Sequence, residues 1–271
     1  MFNKNALVVS CLLLVVSLSG CGGGKKALQV KGSDTMVNLG QAWAEEFMKI
    51  HPEISIAMTG AGSGTGIAAL IAGTTDIAQC SRNMEPKEIH VANDGIVLVV
   101  NPANPVGKLT VQQLSDIFTG RIKNWKEVGG SDEKIVALSR ERNSGTHVFF
   151  LEHVVKLGEK KNKNEFAPTV LMMPSSQAII EEVISSTSAI GYVGLGYLTN
   201  KEKALAIAKS NGAAYVLPSI KTVTAKQYPI SRSLLFYTNG APSGEVKSFV
   251  DYVLSPAGQK IVLKMDFVPL Q

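Results

Sequence analysis

Ile135-Val136-Ala137-Leu138-Ser139-Arg140-Glu141-Arg142-Asn143-Ser144-Gly145-Thr146-His147 is the stretch on which the reading of this chain turns. Its first four residues form an apolar run suited to a buried strand, and Val148, Phe149, Leu151, Val154 and Val155 follow at helical spacing. The segment predicts strand, turn, helix. Ser144, Gly145 and Thr146 fall at the helix start, where backbone N–H groups lack intrahelical acceptors and the helix dipole presents its positive end. Arg140, just upstream, adds a charged fork of donors. The combination suits a small tetrahedral anion. Taken alone, it is equally an ordinary Ser/Thr N-cap beside a surface arginine.

The arrangement recurs. Gly32-Ser33-Asp34-Thr35 follows the strand-like Ala27-Leu28-Gln29-Val30 and precedes an apolar stripe at helical spacing, Met36, Leu39, Trp43, Phe47 and Ile50. Gly60-Ala61-Gly62-Ser63-Gly64-Thr65-Gly66 follows the alternating Ile54, Ile56 and Met58 and precedes Ile67, Ala68, Leu70 and Ile71. Three such units presenting hydroxyls and N–H groups point to a shared anion. Better-known glycine-rich motifs are excluded. Residues 60–66 contain no lysine, which a P-loop requires; Thr65 stands where the dinucleotide fingerprint has its third glycine; Ala61 and Thr65 flank Ser63 where a hydrolase elbow has glycines.

The N-terminus predicts the compartment. Lys4, an apolar run from Ala6 to Leu18, and Leu18-Ser19-Gly20-Cys21 form a secretory signal, and the run is too short for a permanent membrane span. Cysteine after Leu-Ser-Gly resembles the bacterial lipobox, which implies a signal peptide over 1–20, lipidation at Cys21 and a tether over 21–27. Cys11 leaves with the signal, so Cys80 alone remains as a thiol and no internal disulfide is expected. The four histidines show no metal-ligand spacing, and His147 is expected to face solvent or cap the helix locally. The net charge of +5 comes from scattered lysines without an aromatic-interleaved basic stripe, so nucleic acid is not expected as a partner.

Beyond the tether, strand and helix patterns alternate, an α/β chain long enough for two lobes. Gly95-Ile96-Val97-Leu98-Val99-Val100 reads as a buried strand, Thr110 opens a helix through Val111, Leu114, Ile117 and Phe118, and Gly191 to Gly196 reads as turns. Ser233 to Tyr237 reads as a strand and Val246 to Leu254 as a final helix, with Trp43 and Trp125 as packing residues.

The ordered set Gly32-Ser33-Asp34-Thr35, Gly62-Ser63-Gly64, Thr75-Asp76-Ile77-Ala78 with Ser81-Arg82, Leu109-Thr110 through Asn124-Trp125, Ser144-Gly145-Thr146, Gly191-Tyr192-Val193-Gly194 and Tyr228-Pro229-Ile230 resembles the phosphate-binding proteins of bacterial high-affinity phosphate ABC transporters. The resemblance covers essentially the whole mature chain. It implies the type II periplasmic-binding-protein fold, two α/β lobes around a ligand cleft. Lobe 1 would hold residues 28–97 and 236–271, and lobe 2 residues 98–235 with the crossing segments. It further implies phosphate capture for import, with transmembrane permease subunits as partners, a monomer, no cofactor, no metal and no enzymatic activity. Another tetrahedral oxyanion such as sulfate, or an anion-binding surface sensor, is the alternative.

Carried over position by position, the resemblance places the phosphate on Ser33, Asp34, Thr35, Ser63, Ser81, Arg140, Ser144, Gly145 and Thr146. One departure stands out. Many relatives have a hydroxyl residue where Asp34 stands here, and an aspartate that accepts the phosphate proton where Ser81 stands. Asp34 becomes the candidate acceptor, though its position also suits a helix cap. Arg82 is either a further phosphate contact or a surface ion-pair partner, and Asp76 is expected to serve the fold.

Overall fold

The computed structural model describes residues 27–84 and 88–270. The signal peptide, Cys21 and the tether up to residue 26 lie outside the described residues.

In chain order the elements are β1 (Leu28–Gly32), α1 (Val37–Ile50), β2 (Ile56–Gly60), α2 (Ser63–Ile71), β3 (Ile77–Cys80), β4 (Ile89–Val100), β5 (Lys108–Thr110), α3 (Val111–Phe118), β6 (Val136–Arg140), α4 (Gly145–Phe150), β7 (Leu171–Met173), α5 (Ser176–Ser185), β8 (Ala189–Gly194), β9 (Lys203–Ala204), β10 (Ala206–Ala208), α6 (Ile220–Thr224), β11 (Ser231–Thr238), α7 (Gly244–Leu254) and α8 (Pro256–Lys264). The main sheet runs β2-β1-β3-β11-β4-β8-β6-β7, with β9 beside β4; β10 and β5 pair separately. β1 pairs in parallel with β2 and β3, and β6 with β7 and β8, the pairing that helical crossovers produce. Between these two parallel groups lie β4 and β11, antiparallel to each other and to their outer neighbours β8 and β3.

Two large apolar cores lie on either side of that central pair. One gathers Val30, Met36, Leu39, Trp43, Phe47, Leu234, Phe236, Phe249 and Val262. The other gathers Val97, Leu114, Phe118, Trp125, Leu138, Phe150, Ile179, Tyr192 and Ile230. β4 gives Val91 and Ala92 to the first core and Ile96 to Val100 to the second. The second passage falls between Ile230 and Leu234. In the register of the two strands, Arg232 lies directly opposite Asp94 at this changeover.

Local signals act as the sequence suggests in several places. Leu39, Trp43 and Phe47 are buried along one face of α1, in line with the buried Met36 that precedes the helix, while Ile50, the last helical residue, is 61% exposed. Thr110 caps α3 in a reciprocal box with Gln113. Trp43 and Trp125 are packing residues whose indole N–H groups donate to the carbonyls of Gly258 and Ser188. Asp76 serves the start of β3 by accepting from the Gln29 amide at 2.7 Å.

Other places differ. β4 begins at Ile89, well before Gly95, because the polar Asn93 and Asp94 are satisfied strand residues: the Asn93 backbone exchanges bonds with Val268, and the Asp94 carboxylate is met across the changeover by Arg232. Residues 189–194 form a wholly buried strand and no turn. Gly191 is there because a Cβ would stand 2.3 Å from Ile179 on α5. A further helix, α8, follows α7, opened by Ser255 and Pro256 at its first turn. His147 is buried and does not face solvent: its Nδ1 lies 3.0 Å from Ser139 Oγ, and its ring packs on Phe166.

Candidate anion-binding site

Four chain segments converge where the two cores meet. At the end of β1 the Ser33 amide donates to the Gln79 carbonyl, and Ser33 Oγ donates to Ser81 Oγ at 2.8 Å. At the start of α2, Ser63 Oγ accepts from the Ser81 amide at 3.1 Å and lies 3.5 Å from Ser81 Oγ. From the second core's side, Thr146 at the start of α4 brings its Oγ1 to 2.8 Å from that of Thr35. Gly145 fits only because it lacks a side chain: a Cβ would stand 2.2 Å from Ser63 Oγ and 2.6 Å from Ser81 Oγ. Ser33, Thr35, Ser63, Ser81, Gly145 and Thr146, predicted from separate motifs, thus form one buried cluster.

The remaining predicted residues hold other places. Ser144 caps α4, its Oγ accepting from the amides of Thr146 and His147. Arg140 is 1% exposed. Its Nη1 donates to Asp34 Oδ2 at 2.8 Å and to Ser176 Oγ, its Nε and Nη2 grip the two Glu141 oxygens, and Nη2 also reaches the Pro174 carbonyl. Arg140 therefore bonds none of the cluster hydroxyls and reaches the first turn through Asp34, which lies between Ser33 and Thr35 in the chain. Asp34 makes no capping bond to the helix after it. Its Oδ2 collects Arg140 together with the Ser176 amide and hydroxyl at 2.9 Å each, tying the first turn to the start of α5. Among the described residues, the side-chain bonds of Asp34 all fall on Oδ2. Arg82 Nη1 reaches the Asn83 carbonyl at 3.4 Å, and its buried Nε has no partner among the described residues.

The two sides are clasped at the rim. Asn143 Nδ2 donates to the Ala61 carbonyl at 3.0 Å and to Thr65 Oγ1 at 2.9 Å, and the Asn143 carbonyl accepts from the Gly64 amide. Tyr197 adds a bond from its hydroxyl to the Asp34 carbonyl. The arrangement is a closed cleft.

Sequence reasoning missed the Arg232–Asp94 pair beneath the cluster. Both side chains are at most 1% exposed, with Nη2 to Oδ2 at 2.8 Å. Burial pushes the Asp94 carboxyl upward and Arg232 opposes that shift, so the two are held as a mutually compensating pair. The one available signal was an arginine two residues after the Tyr228-Pro229-Ile230 marker, just before the apolar Leu234-Leu235-Phe236 run. Ser176, Glu141 and Asn143 carried no sequence signal of their role.

Chemically, the cluster offers hydroxyls that donate or accept, backed by two guanidiniums whose charge is met by carboxylates. That suits reversible holding of an oxyanion. Ser139 Oγ approaches His147, but Ser139 is wholly buried and shares its hydroxyl with Tyr192 at 2.6 Å, an internal network beyond the reach of a substrate. Burial also lowers the His147 pKa, which favours the neutral ring.

The chain matches a model of the PBP superfamily domain over residues 19–257. It is 33% identical to the phosphate-binding protein PstS of Bacillus subtilis, with 98% of this chain and 95% of that protein covered. PstS of Pseudomonas aeruginosa is 32% identical over 93% of this chain and 84% of its own length. Among solved structures, a phosphate ABC transporter substrate-binding protein with bound phosphate from Clostridium perfringens superposes with a TM-score of 0.81 at 33% identity, covering 91% of this chain and all of that one. An ABC-type phosphate transport receptor from Vibrio cholerae gives 0.73 at 30% identity, covering 90% and 100%. The architecture is the type II periplasmic-binding-protein fold, and the chain belongs to the PBP superfamily and, within it, to the PstS family of phosphate-binding proteins.

Proposed function

We propose that this chain captures inorganic phosphate outside the cytoplasm and hands it to the transmembrane subunits of an ABC transporter. It is a substrate-binding transport protein and not an enzyme. The observation that carries this reading is the convergence of Ser33, Thr35, Ser63, Ser81, Gly145 and Thr146 on one buried point between two cores. Such a point excludes water and strengthens each bond to a charged oxygen. Asp34, Arg140 and Ser144 complete the set, Arg140 as the cation linked across the cleft and Ser144 as the cap that fixes the Gly145–Thr146 turn. Arg82 lies at the edge as an additional donor. The two cores act as lobes, with β4 and β11 as the crossings between them.

The lipid anchor on Cys21 and a monomeric state belong to this proposal. Both rest on sequence: the lipobox-like Leu18-Ser19-Gly20-Cys21, and the family's mode of action. Cys21→Ser is expected to move the protein out of the membrane fraction with phosphate affinity unchanged, because acyl chains supply the attachment. A serine variant that stays with the membrane rejects the anchor.

Calorimetric titration with phosphate, sulfate and arsenate tests the function. Binding of phosphate with rejection of sulfate supports it. Tight sulfate binding without phosphate binding makes the protein a receptor for a different oxyanion.

A further inference from the structure

We propose that Arg232, held by Asp94, is a second guanidinium of the site: a positioning residue that orders the Thr35 and Thr146 hydroxyls from beneath so that the one proton left free by their mutual bond is donated to the bound anion. This inference rests on the phosphate reading above.

The pair is built as a fixed platform. Arg232 and Asp94 face one another in the register of the two central strands. Asp94 Oδ2 accepts from Arg232 Nε at 3.0 Å and Nη2 at 2.8 Å, and Asp94 Oδ1 accepts from the Leu195 amide at 2.9 Å. A carboxylate anchored on both oxygens leaves the guanidinium little freedom.

What the guanidinium does with its other donors is the informative part. Nη1 donates to Thr146 Oγ1 at 3.0 Å and to the Ser81 carbonyl at 3.1 Å, and Nη2 reaches Thr35 Oγ1 at 3.3 Å. One side chain therefore touches three of the site's turns, two from the first core's side and one from the second. By contrast, the bonds made by Arg140 go to Asp34, Glu141, Ser176 and Pro174, none of them a hydroxyl of the cluster.

The hydroxyl protons then follow. A threonine hydroxyl has one proton and two acceptor sites. Both Thr35 and Thr146 accept from Arg232, and they bond each other at 2.8 Å. That mutual bond uses one of the two protons. The second proton is directed away from the cationic guanidinium. An unprotonated phosphate oxygen accepts hydrogen bonds and donates none, so it is the partner this arrangement selects. The alternative is that the pair only fixes the β4–β11 register.

The double variant Arg232→Met/Asp94→Leu separates the two. Replacing both partners of a buried ion pair with apolar groups removes it without leaving a lone buried charge. If Arg232 orders the hydroxyls, the variant unfolds in denaturant at or above the wild-type midpoint but binds phosphate about 30-fold more weakly by calorimetry. Affinity within about threefold of wild type overturns the proposal. Should the double variant fail to fold, Arg232→Lys decides: it keeps the charge beside Asp94 but lacks the fork that spans both threonines. About tenfold weaker phosphate binding at an unchanged midpoint supports the proposal, and wild-type affinity rejects it. Wild-type protein is titrated alongside. If it binds no phosphate, the functional reading fails and this inference falls with it; if it binds and the variants match it, only the role of Arg232 is rejected.

Discussion

Arg140 and Arg232 each bury a guanidinium against a carboxylate, but the carboxylates come from different places. The partner of Arg140 is Asp34, on the turn after β1 across the cleft, with 22% of its side chain exposed. The partner of Arg232 is Asp94, its cross-strand neighbour on the central pair of strands, with none exposed. Under the proposed function, the first bond joins parts that separate when the cleft opens, and an opened Asp34 is then rehydrated. The second joins adjacent strands and persists through any lobe motion. Similar ion-pair chemistry thus serves closure in one place and foundation in the other.

The largest expected difference is in stability. Asp94→Ala leaves Arg232 buried without its counter-charge and should cost about 3–5 kcal/mol in urea unfolding. Asp34→Ala should cost about 1 kcal/mol or less, because Arg140 keeps Glu141. Equal losses would erase the distinction. Ligand affinity should then reverse the order of importance. Arg140→Ala should weaken phosphate binding by roughly 100- to 1000-fold, as loss of a desolvated charge partner does, with the unfolding midpoint close to wild type. Binding within about threefold of wild type would remove Arg140 from the site.

Asp34→Asn sharpens the comparison further. Phosphate near neutral pH carries a proton and sulfate carries none, so a carboxylate oxygen facing the ligand favours phosphate. The variant should bind phosphate about tenfold more weakly and bind sulfate better relative to phosphate. An unchanged ratio in calorimetry would confine Asp34 to bridging. Asn143→Ala should have a smaller effect. It removes the rim clasp to Ala61 and Thr65, worth about 1 kcal/mol, and should speed phosphate release severalfold in stopped-flow measurements.

The smallest expected effect is on pH dependence. Burial lowers the folded-state pKa of His147, with Arg142 and Arg140 adding to the shift, while a hydrogen bond with the Arg140 backbone and the charge of Glu165 oppose it. The unfolded chain then binds more protons below about pH 6.5, so this contribution to stability is complete above that pH and declines as pH falls toward the folded-state value. His147→Gln should flatten the stability profile in that window. A profile identical to wild type would show that His147 contributes nothing to it.

The readable part of the molecule was local. Thr110, Ser144 and the α1 stripe act through near neighbours in sequence, so spacing alone revealed them. The hydroxyl turns were legible because each carries its glycine, serine and threonine together. The Arg232–Asp94 pair was not, since its partners are far apart in sequence and become neighbours only through the register of β4 and β11. The apolar run showed the strand only from Gly95 and left Asp94 outside it, because a carboxylate breaks the apolar pattern until its arginine is known. His147 misled for a related reason: polar residues near a helix start usually meet water, whereas here Ser139 and Phe166 close over the ring.

The most direct test is a crystal structure of the protein grown with phosphate. The account predicts one phosphate between the two cores, with oxygens within hydrogen-bonding distance of Ser33, Ser63, Ser81 and the Gly145–Thr146 turn, and Arg140 and Arg232 on opposite sides of it. Phosphate bound instead in the cleft of about 510 Å³ behind the central strands, lined by His90, Asn93 and Lys226, would contradict it.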